Sequence, residues 1–213
     1  MSASNESGSV DERPVVWFDI DNTLYSASSR ISHAMGERIH DPLDFDRQCD
    51  GSLPLEDMIK YDPAQRKLFE DIDRSKVRVW GLTNAYRPHA ERVLRILKLD
   101  DLIDGLVYCD YQVKNFSCKP EPEFYQDAMK KAKLSDPSKC YFIDDNRGNI
   151  DGARAQGWAR CVHFCEQGLE AMEGGRTKQI DNERAPGAKV DDEVKIVTTL
   201  EELRGVWPEI FKA

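Results

Sequence analysis

Several features that would have placed this sequence quickly are missing from it, and each absence narrows the field. Positive charge is in deficit: 30 Lys and Arg stand against 39 Asp and Glu in 213 residues, a formal net charge of −9. Binding to polymeric nucleic acid relies on many Lys and Arg contacts to phosphates, so this chain is a poor fit for that role. A small phosphorylated ligand remains open, because one local cation cluster and one metal ion suffice to hold it. No apolar run is long enough to span a bilayer. The opening MSASNESGSVDER lacks the apolar core of a secretory leader, so the cytoplasm, or the nucleus as well, is the expected location. None of the six cysteines (Cys49, Cys109, Cys118, Cys140, Cys161, Cys165) forms a CxxC pair. Reduced thiols packed as small apolar residues are the expectation. Cys161, His163 and Cys165 would share one face of a strand, but no second ligand cluster lies near them, which argues against zinc.

What is present is a rhythm of short apolar strands and amphipathic helices. The apolar fraction is 40% and the charged fraction 32%, as in ordinary globular domains. Val15–Ile20, Val77–Leu82, Leu106–Tyr108, Cys140–Ile143, Ala159–Phe164 and Val194–Thr198 read as strands. Helices are expected over Arg87–Leu99, Glu121–Lys133, Asn149–Gln156 and Leu200–Val206. Strands that alternate with helices predict an α/β fold: a Rossmann-like parallel sheet with helices on both faces. Residues 1–13 are small, polar and charged, and are expected to be disordered. The charged, Gly-rich stretch 166–192 reads as a loop. Between the first two strands the rhythm breaks. Arg30–Ile39 and Ala64–Ile72 read as helices and His40–Gly51 as an acidic loop, and about residues 26–62 as a short, truncated insert.

In an open parallel sheet, ligands bind at the carboxyl ends of strands near a switch in strand order. Four polar clusters fall at or near such ends: Asp19/Asp21/Thr23, Thr83/Asn84, Lys119 and Asp144/Asp145. Each is weak evidence alone. Strand-end Asp residues often cap a turn, Thr-Asn is a common cap, and a lysine before proline is usually a solvated loop residue. Adjacent carboxylates at the end of a buried strand repel unless something binds them. As an ordered set they suit phosphoryl transfer. Carboxylates are hard ligands for magnesium, which offsets repulsion between an anionic nucleophile and a phosphate. A carboxylate nucleophile splits hydrolysis into two steps through an acyl-phosphate, and a second acid or base must serve the leaving oxygen and the water. Thr83 offers a hydroxyl to the phosphoryl oxygens, and Lys119 a fixed cation.

The ordered set VVWFDIDNT, VWGLTN, CKPEP and FIDDNRGN resembles the four motifs of the haloacid dehalogenase superfamily. The wording FDIDNTLYSASSRI, SLPLEDMI, LTNAY, DGLVYCDY and YFIDDNRGNI is similar to its fungal pyrimidine 5′-nucleotidase branch. The resemblance implies that Asp19 is the nucleophile and Asp21 the general acid/base, that Thr83 and Asn84 bind the phosphoryl group, and that Lys119 neutralises it. It also implies Mg²⁺ held by Asp19, the Asp21 carbonyl and one of the acidic pair. In relatives with a GDxxxD fourth motif the first Asp is the ligand, and Asp145-x-x-x-Asn149 has that spacing, so the resemblance implies Asp145 as that ligand, with Asp144 and Asn149 supporting from behind. The expected reaction is hydrolysis of a pyrimidine nucleoside 5′-monophosphate. Another small monoester, such as a sugar phosphate or lysophospholipid, and a poorly active regulatory protein are the alternatives. The last follows from one departure: both ends of the branch's helical cap look familiar, but its middle is missing near Ile39–Asp41.

Overall fold

The computed structural model describes residues 11–31, 34, 53–166, 170–173, 176–179 and 194–213, the two short pieces 170–173 and 176–179 by backbone alone. The expected disorder of residues 1–10, most of the helix Arg30–Ile39, the acidic loop His40–Gly51 and the break near Ile39–Asp41 lie outside the described residues; residues 11–13, read as part of the disordered start, are instead held, the Glu12 and Arg13 carbonyls accepting from Lys139 and Arg78 at 3.1 Å each.

Six strands form one parallel sheet: β1 (Val15–Phe18), β2 (Arg78–Leu82), β3 (Gly105–Val107), β4 (Cys140–Asp144), β5 (Arg160–Phe164) and β8 (Lys195–Val197). Their order is β3-β2-β1-β4-β5-β8. The chain steps outward from β1 through β2 to β3, then crosses back to lay β4 on the other side of β1. That reversal makes the β1/β4 boundary the switch point, where two connections diverge and leave a crevice. The register pairs Phe18 with Ile143, so the next residues, Asp19 and Asp144, emerge side by side.

Alternation along β1 explains how both faces are covered. Val16 and Phe18 enter a core with α2 (Pro63–Asp71), α3 (Arg87–Ile96) and the C-terminal residues Leu203, Trp207 and Phe211. Val15 and Trp17 enter a second core with α4 (Pro122–Lys131) and α5 (Arg147–Ala155). Trp17 stacks on Trp158 at 5.5 Å between ring centroids. The helices begin where their sequences direct: Pro sits in the first turn of α2, α3 and α4, and the side chains of Asp62 and Asn146 cap α2 and α5. Gly157, at φ +86°, turns the chain out of α5. Two further helices are single turns, α1 (Leu55–Met58) and α6 (Leu203–Val206).

The expected elements shift in places. β1 stops at Phe18 rather than Ile20, because Asp19–Asn22 leaves the ladder for a turn with Asn22 at φ 59°. α3 ends at Ile96, three residues early, where Lys98 takes φ 54°. The stretch read as a loop from 166 to 192 contains an antiparallel pair, β6 (Glu170–Glu173) and β7 (Arg176–Gln179). The sequence Gly174-Gly175 between them is a hairpin signal that the charge of the stretch obscured.

Helix α5 also braces the lysine loop. A Cβ on Gly152 would lie 2.8 Å from the Pro120 carbonyl oxygen and 3.2 Å from its Cα, both backbone atoms. Gly152→Ala should therefore lower unfolding free energy in urea by about 1–3 kcal/mol, the usual cost of overpacking.

Candidate active site

Three strand ends and one loop bring the predicted residues together at the switch point. Lys119 is at the centre, with 3% of its surface exposed. Its Nζ donates to Asp19 Oδ1 at 2.6 Å, Asp144 Oδ2 at 2.7 Å and the Leu82 carbonyl at 2.8 Å, which uses all its protons. Burial alone would lower its pKa, but the charges of Asp144 and Asp19 outweigh that and hold it above the ordinary lysine value.

Asp19 is pushed well above its usual range by burial and by Asp144, against the pull of Lys119. Its Oδ2 accepts from Thr23 Oγ1 at 3.1 Å, and that hydroxyl in turn accepts from the Asp145 amide at 3.1 Å. Thr23 thus ties the first motif to the fourth.

The acidic pair divides as its surroundings dictate. Asp144 is fully buried and saturated: beside Lys119 it accepts from Asn149 Nδ2 on both oxygens, at 3.0 and 3.1 Å, and from the Asn146 amide at 2.8 Å. No side chain donates a hydrogen bond or forms an ion pair with the Asp145 carboxylate among the described residues. Burial, then the neighbouring charge of Asp144, raises its pKa to about 7. Oxygens of Asp19, Asp144 and Asp145 lie within 4.8 Å of one another, the one such metal-capable group among the described residues. The Cys161, His163 and Cys165 trio does not converge: Cys165 Sγ lies 3.9 Å from His163 Nε2, but Cys161 Sγ turns to the Trp158 carbonyl at 3.2 Å, and His163 Nε2 contacts the Asp145 carbonyl at 2.9 Å.

Two side chains are used differently from the expectation. The Asn84 amide clamps the Lys119 backbone, accepting from its N–H at 2.7 Å and donating to its carbonyl at 2.9 Å. It positions the lysine, so only its backbone stays available to a phosphoryl group. The Thr83 hydroxyl donates to Asp21 Oδ2 at 3.0 Å and accepts from the Ala85 amide.

Asp21 has two more partners that sequence reasoning did not single out. Tyr25 Oη donates to its Oδ1 at 2.6 Å, and His89 Nε2 lies 2.9 Å from the same oxygen. Burial would raise Asp21, but the bonds from His89, Tyr25 and Thr83 prevail and hold it below its ordinary value. Tyr25 follows Asp21 by four residues, a spacing that pairs side chains in a turn. His89 gives no comparable signal, because its contact is made only by tertiary packing.

Comparison with known proteins agrees with this geometry. A family model described as haloacid dehalogenase-like hydrolase matches residues 38–157, a stretch that holds Thr83, Lys119 and Asp144 but begins after Asp19. Phosphate metabolism protein 8 of Saccharomyces cerevisiae is 30% identical over 218 residues, with 81% of this chain and 68% of that protein covered. The chain belongs to the haloacid dehalogenase-like hydrolases. Phosphorylated carbohydrates phosphatase of Thermotoga maritima is 27% identical over 122 residues, covering 56% of this chain and 55% of that one. A haloacid dehalogenase phosphatase of known structure from Thermococcus onnurineus shares the fold at 15% identity and TM-score 0.59, over 91% of this chain and 97% of that chain. The span matched in the yeast protein exceeds this whole chain, although it takes in only 81% of it. The yeast protein therefore carries residues within the matched region that this hydrolase lacks.

The raised Asp145 pKa has a consequence for stability in the absence of metal. Its unfolded carboxyl loses its proton near the ordinary aspartate value of 3.8, whereas the folded one keeps it to about 7. Across that window the unfolded state binds fewer protons, so stability falls as pH rises. Thermal melts in EDTA should show a shallower fall for Asp145→Asn than for the native chain. Parallel curves would contradict the shift.

Proposed function

We propose that this hydrolase is a magnesium-dependent phosphomonoesterase in which Asp19 attacks phosphorus and Asp21 exchanges the proton. The observation that carries the reading is the buried Lys119 ammonium 2.6 Å from Asp19. A desolvated cation at that position is suited to balance both the anionic nucleophile and an incoming phosphoryl group.

The donor set fits magnesium. Three carboxylates converge and one of them, Asp145, has no side-chain partner among the described residues, whereas the neighbouring cation Lys119 is already shared by Asp19 and Asp144. Asp19 and Asp145 would hold the ion with the Asp21 carbonyl, and Asp144 and Asn149 would support from behind. When bound it supplies charge neutralisation for an anionic substrate beside anionic side chains. In the first half-reaction an Asp19 oxygen forms a bond to phosphorus as the ester P–O bond breaks, and the leaving oxygen takes a proton from Asp21, whose protonated form the anionic phosphoryl group beside it favours against the pull of its own donors. In the second, Asp21 takes a proton from water as the water oxygen bonds to phosphorus and the Asp19 O–P bond breaks, which restores the Asp19 carboxylate and releases phosphate.

The preferred leaving group under this reading is a pyrimidine nucleoside. The likeness in motif wording to the pyrimidine 5′-nucleotidase branch supports it. So does a set of rings beside Asn84: Tyr111 donates its hydroxyl to the Asn84 carbonyl at 2.7 Å, packs edge-on to Phe116 at 4.8 Å and lies 6.2 Å from Tyr86. Exposed rings at the rim of a site suit stacking with a base. A sugar phosphate is the second reading, favoured by the name of the Thermotoga maritima relative.

Phosphate release from UMP or CMP should exceed that from hexose phosphates, and EDTA should abolish it. Asp19→Asn should lower turnover by about 10³-fold or more, as loss of a nucleophile does. Full activity in that variant would overturn the mechanism, and a preference for hexose phosphates would favour the second reading.

A further inference from the structure

The surroundings of Asp21 distinguish its two oxygens. Oδ1 faces Tyr25 Oη at 2.6 Å and His89 Nε2 at 2.9 Å, whereas Oδ2 accepts, among the described residues, a single bond, from Thr83 at 3.0 Å. A carboxylate oxygen offers two lone pairs. With both groups donating, Oδ1 is full and Oδ2 keeps one site open. The partners come from three separate segments: the turn after β1, the end of β2 and the first turn of α3. Together they fix both torsions of a side chain that would otherwise rotate. His89 is itself 1% exposed and packed in the sheet core through α3, so it is rigid enough to serve as a stop. The Asp21 side chain keeps 24% of its surface open, against 2% for that of His89, so substrate reaches the carboxylate and not the imidazole.

We propose that His89 is a positioning residue that, with Tyr25, closes Oδ1 of Asp21 and leaves Oδ2 as the atom that exchanges the proton. This rests on the phosphatase reading above. In the forward step the P–O electron pair moves to the leaving oxygen and the Oδ2–H proton follows it. In the hydrolytic step Oδ2 takes one proton from the attacking water. His89 touches neither substrate nor phosphorus, and it acts by holding the carboxylate plane. Without it, Asp21 turns about its side-chain torsions and the proton is presented off line. A poor leaving group suffers most from that, and a leaving group that departs as a stable anion suffers least.

The test compares phenyl phosphate with para-nitrophenyl phosphate, two esters of similar shape whose leaving groups differ in basicity. The readout is kcat/KM, which is insensitive to the later hydrolysis of the aspartyl-phosphate. His89→Leu should lose roughly 10–100-fold on phenyl phosphate, as expected when a general acid is misplaced, but less than about 3-fold on para-nitrophenyl phosphate. His89→Gln, whose amide nitrogen reaches the same place as Nε2, should recover most of the phenyl phosphate activity. If His89→Leu does not fold, Tyr25→Phe removes the other donor on Oδ1 and should show the same selective loss. Equal losses on both esters, no loss on either, or no recovery with glutamine would overturn the positioning role while leaving the phosphatase reading intact. Absence of turnover in the native chain on both esters would overturn the two together.

Discussion

One buried ammonium organises this active site. Lys119 lies between Asp19 and Asp144, each within 2.7 Å, with its remaining proton on the Leu82 carbonyl. Burying two carboxylates side by side is costly unless a cation is equally buried and every donor is satisfied. The structure meets that condition geometrically. Asn84 grips the lysine backbone from the end of β2, Gly152 lets α5 close against Pro120, and Asn149 and Asn146 complete Asp144. Under the proposed reaction, the charge balance that lets these carboxylates be buried together is also what lets one of them approach a phosphate.

The topology explains why these residues meet although they are far apart in sequence. Parallel strands deliver their carboxyl ends to one edge, and the reversal after β3 puts β1 and β4 together there. Lys119, from the loop after β3, reaches across both. The same arrangement separates tasks. Asp144 has its hydrogen-bonding capacity consumed by protein, whereas Asp145 keeps a carboxylate with no side-chain partner among the described residues and a pKa raised to about 7. Adjacent residues at a strand end thus divide into a support and a candidate ligand, because alternation sends them to different surroundings.

Much of this was legible in the sequence, for definable reasons. Buried parallel strands read as short apolar runs, so all six strands of the main sheet were visible, and polar residues directly after such runs marked Asp19, Asp21, Thr83 and Asp144/Asp145. Lys119 was visible by its place in an ordered set rather than by its own surroundings. What escaped was tertiary. His89 looks like any helix residue until packing sets its ring beside Asp21, and the Asn84 side chain could not be told apart as a phosphate ligand or a backbone clamp. The β6–β7 pair was hidden because charge was read as loop, although Gly174-Gly175 offered the turn. The expected shortness of the insert rests on the familiar wording of its two ends, and the yeast relative carries extra residues somewhere within the matched region.

The central claim is that Asp19 carries the phosphoryl group during turnover. The most direct measurement is to quench the protein while it hydrolyses para-nitrophenyl phosphate, reduce the acyl-phosphate with borohydride, and locate the product by mass spectrometry. The account predicts that residue 19 is converted from aspartate to homoserine, and that no conversion occurs without substrate. Conversion at another carboxylate, or none in a chain that is actively turning over, would contradict it.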